Sequence, residues 1–131
     1  MKYKNISWNE LNDHVEKLAE DIKSKNEGKI ITGVFGLPRG GLVPAVMLSH
    51  KLNVPLLLAP CENCVVVDDI ADTGISLEHY QEKGYKIAVI WYKPRSKVKP
   101  DFYAVKDSRT KLGGAWIIFP WETPKNAFFN R

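Results

Sequence analysis

Val65 to Ser76 reads VVVDDIADTGIS. Three β-branched apolar residues follow one another without polar alternation, the mark of a strand buried on both faces. The run meets Asp68 and Asp69, and then Asp72, so three acids fall within five residues. Such charges repel one another and lose water on burial, so a cation or a group rich in hydroxyls is expected beside them.

Other segments repeat the alternation of strand and helix. Residues 7–25 read as a helix: Ser7 and Glu10 form a capping box, and Leu11, Val15, Leu18 and Ile22 make one apolar stripe. KNEG ends it at Gly28. Lys29 to Phe35 reads as a strand, Gly36 to Gly41 (GLPRGG) as a loop, and LVPAVMLSHKL as a helix with Pro44 in its first turn. VPLLLA and CVVVDD read as strands, SLEHYQEKG as a helix, and YKIAVIWY as another strand. Beyond the basic loop KPRSKVKP, DFYAVKD reads as a fifth strand and AWIIFPWE as a short apolar run. This order predicts an α/β fold with a parallel β-sheet flanked by helices. The tail KNAFFNR is expected to gain order from its own fold or from a partner.

A chain of 131 residues suits one domain, 1–131, with 44% hydrophobic residues for its core. No run of about 18 apolar residues is present to span a membrane, and MKYKNISWNE is no apolar signal segment, so a cytoplasmic location is expected. The net charge of +4 fits either a generic soluble surface or attraction to an anion such as phosphate or nucleic acid. Cys61 and Cys64 form a C-x-x-C pair with no second pair to complete a zinc site; chance spacing, a redox role and a metal role all stay open.

In open parallel sheets, ligands gather at the carboxyl ends of the strands, where GLPRGG and DDIADTGIS both fall. Gly74 permits a tight turn, and Thr73 to Ser76 then start a helix whose unpaired N–H groups, with two hydroxyls, form an anion cup. Asp68 and Asp69 suit a ribose diol or Mg²⁺. Arg39, Gly40 and Gly41 suit a second phosphate group. Together the two loops describe a sugar phosphate.

VVVDDIADTGIS resembles the phosphoribosyl diphosphate signature of the type I phosphoribosyltransferases, and GLPRGG resembles their pyrophosphate loop. IWYKP and WIIFPWE extend the likeness to the bacterial xanthine-guanine phosphoribosyltransferases within that family, over most of residues 3–125. The resemblance implies the Rossmann-like fold of the family with a small C-terminal purine-binding hood. It implies transfer of phosphoribose from phosphoribosyl diphosphate to a 6-oxopurine in purine salvage, with Mg²⁺, in a homodimer or homotetramer. By the same resemblance, Arg39, Gly40 and Gly41 hold pyrophosphate, and Asp68 and Asp69 take the ribose hydroxyls and Mg²⁺. Asp72 lies near purine N7 as acid or base, and Thr73, Gly74, Ile75 and Ser76 hold the 5′-phosphate. Lys93 donates to the exocyclic O6, Trp116 stacks on the ring, and the Ile117 backbone meets its 2-position edge. Glu122 either touches the ligand or faces solvent. A non-proline cis peptide is expected at Pro38–Arg39. One departure stands out: the long mobile loop of the family is reduced to APCEN, Ala59 to Asn63. That leaves a second class open, a regulatory module that binds phosphoribosyl diphosphate or a nucleotide with little or no turnover. Nucleic-acid binding through KPRSKVKPDFYAVK has no recognised motif behind it.

Overall fold

The computed structural model describes residues 3–26, 28–107 and 116–123. The tail expected to be partly ordered, 125–131, lies outside them, as does residue 124. A five-stranded parallel sheet forms the centre, in the order β3-β2-β4-β5-β6. Its strands are β2 (Val34–Gly36), β3 (Leu56–Leu57), β4 (Val65–Ala71), β5 (Lys86–Tyr92) and β6 (Phe102–Lys106). Helices α1 (Trp8–Lys25) and α2 (Leu42–Leu52) cover one face, and α3 (Ile75–Glu82) covers the other. A second, two-stranded parallel sheet joins β1 (Tyr3–Asn5) to β7 (Trp116–Ile118).

The capping box forms as the sequence predicts. Glu10 N donates to Ser7 Oγ at 3.0 Å, and Ser7 N donates to Glu10 Oε1 at 3.4 Å. The α1 stripe Leu11, Val15, Leu18 and Ile22 is fully buried against Val34, Val65, Val67 and Ile90. Ile117 and Phe119 join the same core, and this anchors the small sheet to α1.

Four elements differ from the sequence pattern. The strand expected from Lys29 begins only at Val34, because its partners Leu56 and Val65 begin there. Upstream, Thr32 N bonds instead to Asn63 O, and Ile30 is 82% exposed. VPLLLA shrinks to two paired residues. β1 was not legible, since YKN has no apolar period and is a strand only because β7 lies beside it. β4 also runs two residues beyond the strand read as CVVVDD. β4 runs through Asp68 and Asp69 to Ala71, because β5 continues the pairing as Ile70↔Trp91 and Ala71↔Tyr92.

Candidate active site

The two loops singled out by sequence leave neighbouring strands, β2 and β4, at their carboxyl ends. Leu37 N bonds to Val67 O at 2.9 Å, which starts the first loop on the second strand. Gly41 N then donates to Leu37 O at 2.8 Å and Leu42 N to Arg39 O at 3.1 Å, closing a tight turn into α2. The Pro38–Arg39 peptide is cis, as expected. Glycine is needed at position 40 for space. A Cβ there would lie 2.6 Å from Asp69 Cγ and 2.9 Å from Oδ1, with Oδ2 nearer still. The Arg39–Gly41 loop therefore rests directly on the Asp69 carboxylate.

Asp68, Asp69, Ile70, Asp72, Thr73, Gly74 and Ser76 line one cavity of about 80 Å³. Asp68 Oδ1 accepts from Asp69 N at 2.9 Å, and Asp69 Oδ1 accepts from Ile70 N at 2.8 Å. The chain thereby offsets part of the cost of burying Asp69, which is 5% exposed. Gly74 adopts φ +79 and caps α3 with its carbonyl, which accepts from Leu77 N and Glu78 N. Thr73 and Ser76 are exposed, and Ile75 is 64% exposed, at a helix start open to an anion.

Lys93 follows β5 and is 3% exposed; its N–H donates to Ala71 O at 2.9 Å, tying it to the acid-bearing strand. Trp116 and Ile117 stand on the separate small sheet, Trp116 half-buried and Ile117 fully buried. Glu122 turns inward: Phe119 N donates to its Oε1 at 3.0 Å, and Glu122 N returns a bond to Phe119 O at 2.9 Å. It therefore closes the turn after β7.

Arg95 escaped the sequence reading, where it was one cation in a basic loop. Its Nε donates to Asp72 Oδ1 at 2.6 Å, and Nη2 lies 2.5 Å from the same oxygen. The signal available was its spacing, two residues beyond Lys93. Asp107 was also missed; it is buried, and its Oδ2 accepts from Trp91 Nε1 at 3.1 Å.

Hard oxygen donors at Asp68 and Asp69 suit Mg²⁺, yet among the described residues no three acidic, His or Cys side chains converge into a metal cage. That donor set fits an ion held by one or two carboxylates together with substrate oxygens and water. Cys61 is exposed and Cys64 is buried, both as free thiols, and burial pushes the Cys64 thiol up from its ordinary value. A larger cavity of about 420 Å³ opens at the opposite strand ends, beside Lys29, Lys83 and Lys86. Glu62, Asn63 and Cys64 also line it, and none of Asp68, Asp69 and Asp72 does. No helix among the described residues is long and apolar enough to cross a membrane.

No family model matches the chain. A xanthine-guanine phosphoribosyltransferase from Desulfotalea psychrophila is 26% identical over 90% of this chain and 85% of its own. The structure of a xanthine-guanine-hypoxanthine phosphoribosyltransferase from Helicobacter pylori superposes with a TM-score of 0.76 at 19% identity, covering 98% of this chain and 99% of that one. The crystal structure of a purine phosphoribosyltransferase from Pyrococcus horikoshii superposes with a TM-score of 0.76 at 30% identity, covering 94% of this chain and 96% of that one. With its parallel sheet, its paired loops at the strand ends and this full-length kinship, the chain belongs to the purine phosphoribosyltransferases of the type I fold.

Proposed function

We propose that the chain transfers phosphoribose from phosphoribosyl diphosphate to a 6-oxopurine, releasing pyrophosphate, as a step of purine salvage. The observation that supports this reading is the cavity where Asp68, Asp69 and Asp72 meet the start of α3 at Thr73, Gly74 and Ser76.

On this reading the 5′-phosphate sits on the amides and hydroxyls of Thr73, Gly74, Ile75 and Ser76. Asp68 and Asp69 accept from the ribose hydroxyls. Arg39, Gly40 and Gly41 receive the pyrophosphate, whose negative charge grows as its bond to the ribose carbon breaks. Mg²⁺, when bound by Asp68 and Asp69, neutralises phosphate charge. Asp72 handles the proton at purine N7. The Lys93 ammonium only donates, so it pairs with an exocyclic oxygen and leaves adenine's amino group unmatched. Trp116 supplies a stacking surface on the small C-terminal sheet, and the Ile117 backbone meets the 2-position edge.

The rest of the reading is one phosphoribosyltransferase domain, 1–131, active in the cytoplasm as a homodimer or homotetramer. Leu42 and Val46 on α2 and Leu56 and Leu58 at the β3 edge are exposed, which suits cover by a second copy. Light scattering on the purified chain tests this; a monomer at all concentrations refutes it.

The functional test is a pyrophosphate-release assay with Mg²⁺, phosphoribosyl diphosphate and guanine, xanthine, hypoxanthine or adenine. Turnover is expected with at least one 6-oxopurine and not with adenine. Asp72→Asn is expected to lower kcat by on the order of 100-fold or more without changing the fold. Tight substrate binding with no turnover would favour the regulatory module, a reading supported by the short connection between Leu57 and Val65.

A further inference from the structure

Arg95 is the less obvious of the two arginines among the described residues; the other is Arg39. Its guanidinium directs two groups, Nε and Nη2, at one oxygen, Asp72 Oδ1. The Asp72 side chain is 11% exposed and that of Arg95 is 43% exposed. Exposed ion pairs contribute little, but this one fixes a nearly buried carboxylate through two contacts.

The loop that carries Arg95 is itself fixed. Lys97 N donates to Thr73 O at 2.9 Å, and Ser96 N donates to Lys93 O at 2.9 Å. Ser96 Oγ donates to Val98 O at 2.8 Å and accepts from Val98 N at 3.1 Å, and Val98 is fully buried. A Cβ on Gly74 would meet Ser96 Oγ and would lie 2.8 Å from Val98 N. Arg95 and Asp72 thus belong to one interlocked pair of loops. Asp68 and Asp69 share the Asp72 cavity, and the substrates it would receive are anions. Those neighbours repel the Asp72 carboxylate, and the guanidinium both offsets the repulsion and selects one orientation.

We propose that Arg95 is a positioning residue for phosphoribosyl transfer: by engaging Asp72 Oδ1, it holds the carboxylate so that Oδ2 meets the purine proton. This rests on the function proposed above. The opposite role, a latch that blocks Asp72 until Arg95 leaves, predicts the opposite kinetics.

The experiment compares wild type, Arg95→Ala, Arg95→Lys, Asp72→Asn and the Ala/Asn double variant in the pyrophosphate-release assay, with a thermal melt of each. Arg95→Ala is expected to lower kcat by on the order of tenfold to a hundredfold, with KM for phosphoribosyl diphosphate within about twofold of wild type. Arg95→Lys, and guanidinium chloride added to Arg95→Ala, are each expected to restore part of the loss. Adding Arg95→Ala to Asp72→Asn is expected to change kcat by less than about twofold, since the pair acts as a unit. A kcat for Arg95→Ala within about threefold of wild type, or above it, overturns the proposal, as does an equal loss in the Asp72→Asn background. If Arg95→Ala does not fold, Arg95→Gln takes its place, and wild-type kcat there overturns the proposal. If wild type turns over no purine, the functional reading falls and this proposal with it. If wild type is active and Arg95→Ala matches it, only this proposal falls.

Discussion

Gly40→Ala gives the sharpest test of how the first loop meets the acids. Gly40 is not among the glycines with positive φ, so alanine suits its backbone and only space is at issue. The new methyl carbon would lie 2.6 Å from Asp69 Cγ, whereas carbon atoms in contact sit roughly 3.5–4.0 Å apart, so something must move by about 1 Å. Asp69 resists, being 5% exposed and bonded through Oδ1 to Ile70 N. The loop resists through its bonds to Leu37 O and from Leu42 N. Overpacking of this kind costs about 1–3 kcal/mol, which lowers Tm by roughly 4–10 °C for a chain of this size. Displacing the Arg39–Gly41 amides by about 1 Å from a bound pyrophosphate costs on the order of 100-fold in kcat/KM, or about 2.7 kcal/mol. Gly84→Ala is the control: its φ is +88 with nothing within 4 Å of the added Cβ. It should cost about 1 kcal/mol of stability and leave turnover intact. Steady-state pyrophosphate release at varied phosphoribosyl diphosphate, beside thermal melts, separates the two effects. A Gly40→Ala enzyme within about threefold of wild-type kcat/KM would refute the argument, because the loop would then have room to yield.

Three further outcomes follow from other parts of the molecule. Lys93→Met should narrow the preference for guanine over adenine by on the order of a hundredfold, measured as a ratio of kcat/KM values; an unchanged ratio removes Lys93 from purine recognition. Ser7→Ala breaks the capping box of α1 and should cost about 1 kcal/mol, seen as a Tm lower by about 3–5 °C with unchanged kcat. Burial holds the half-buried His14 imidazole below its ordinary value, against the pull of Glu10 and Asp13. The unfolded chain therefore takes up the proton first as pH falls, and the stability His14 contributes above pH 6.5 is lost as pH drops below it. Urea midpoints at pH 7.5 and about 5 should fall further for wild type than for His14→Gln, and equal falls would contradict this.

Much of the fold was written in periodicity, because burial imposes it. The α1 stripe and the continuous apolar runs of β4 and β5 face packed neighbours, and their spacing says so. Ser7 and Glu10 were legible because a capping box is a local device. What stayed hidden depends on partners distant in sequence. YKN becomes a strand only through its bonds to β7, and Val34 starts β2 only because Leu56 and Val65 flank it. At the site, Asp68, Asp69, Asp72, Thr73, Gly74 and Ser76, which face one cavity, were legible because glycine, acids and hydroxyls at a strand end have few other uses. Arg95 was missed for the opposite reason: a cation in a basic loop looks solvated until Asp72 is seen beneath it. Glu122 was undecided because only the turn at Phe119 shows which way it points.

The interlocking of the β4–α3 and β5–β6 loops bears on how such a chain can be re-engineered. Gly74 is flanked by Ser96, Lys97 and Val98, and Thr73 O accepts from Lys97 N, so the inner side of each loop is the other loop. A graft of residues 72–76 alone would bring a foreign side chain against an unmatched wall, and a graft of 93–98 alone would do the same from the other side. The exchangeable unit is the pair.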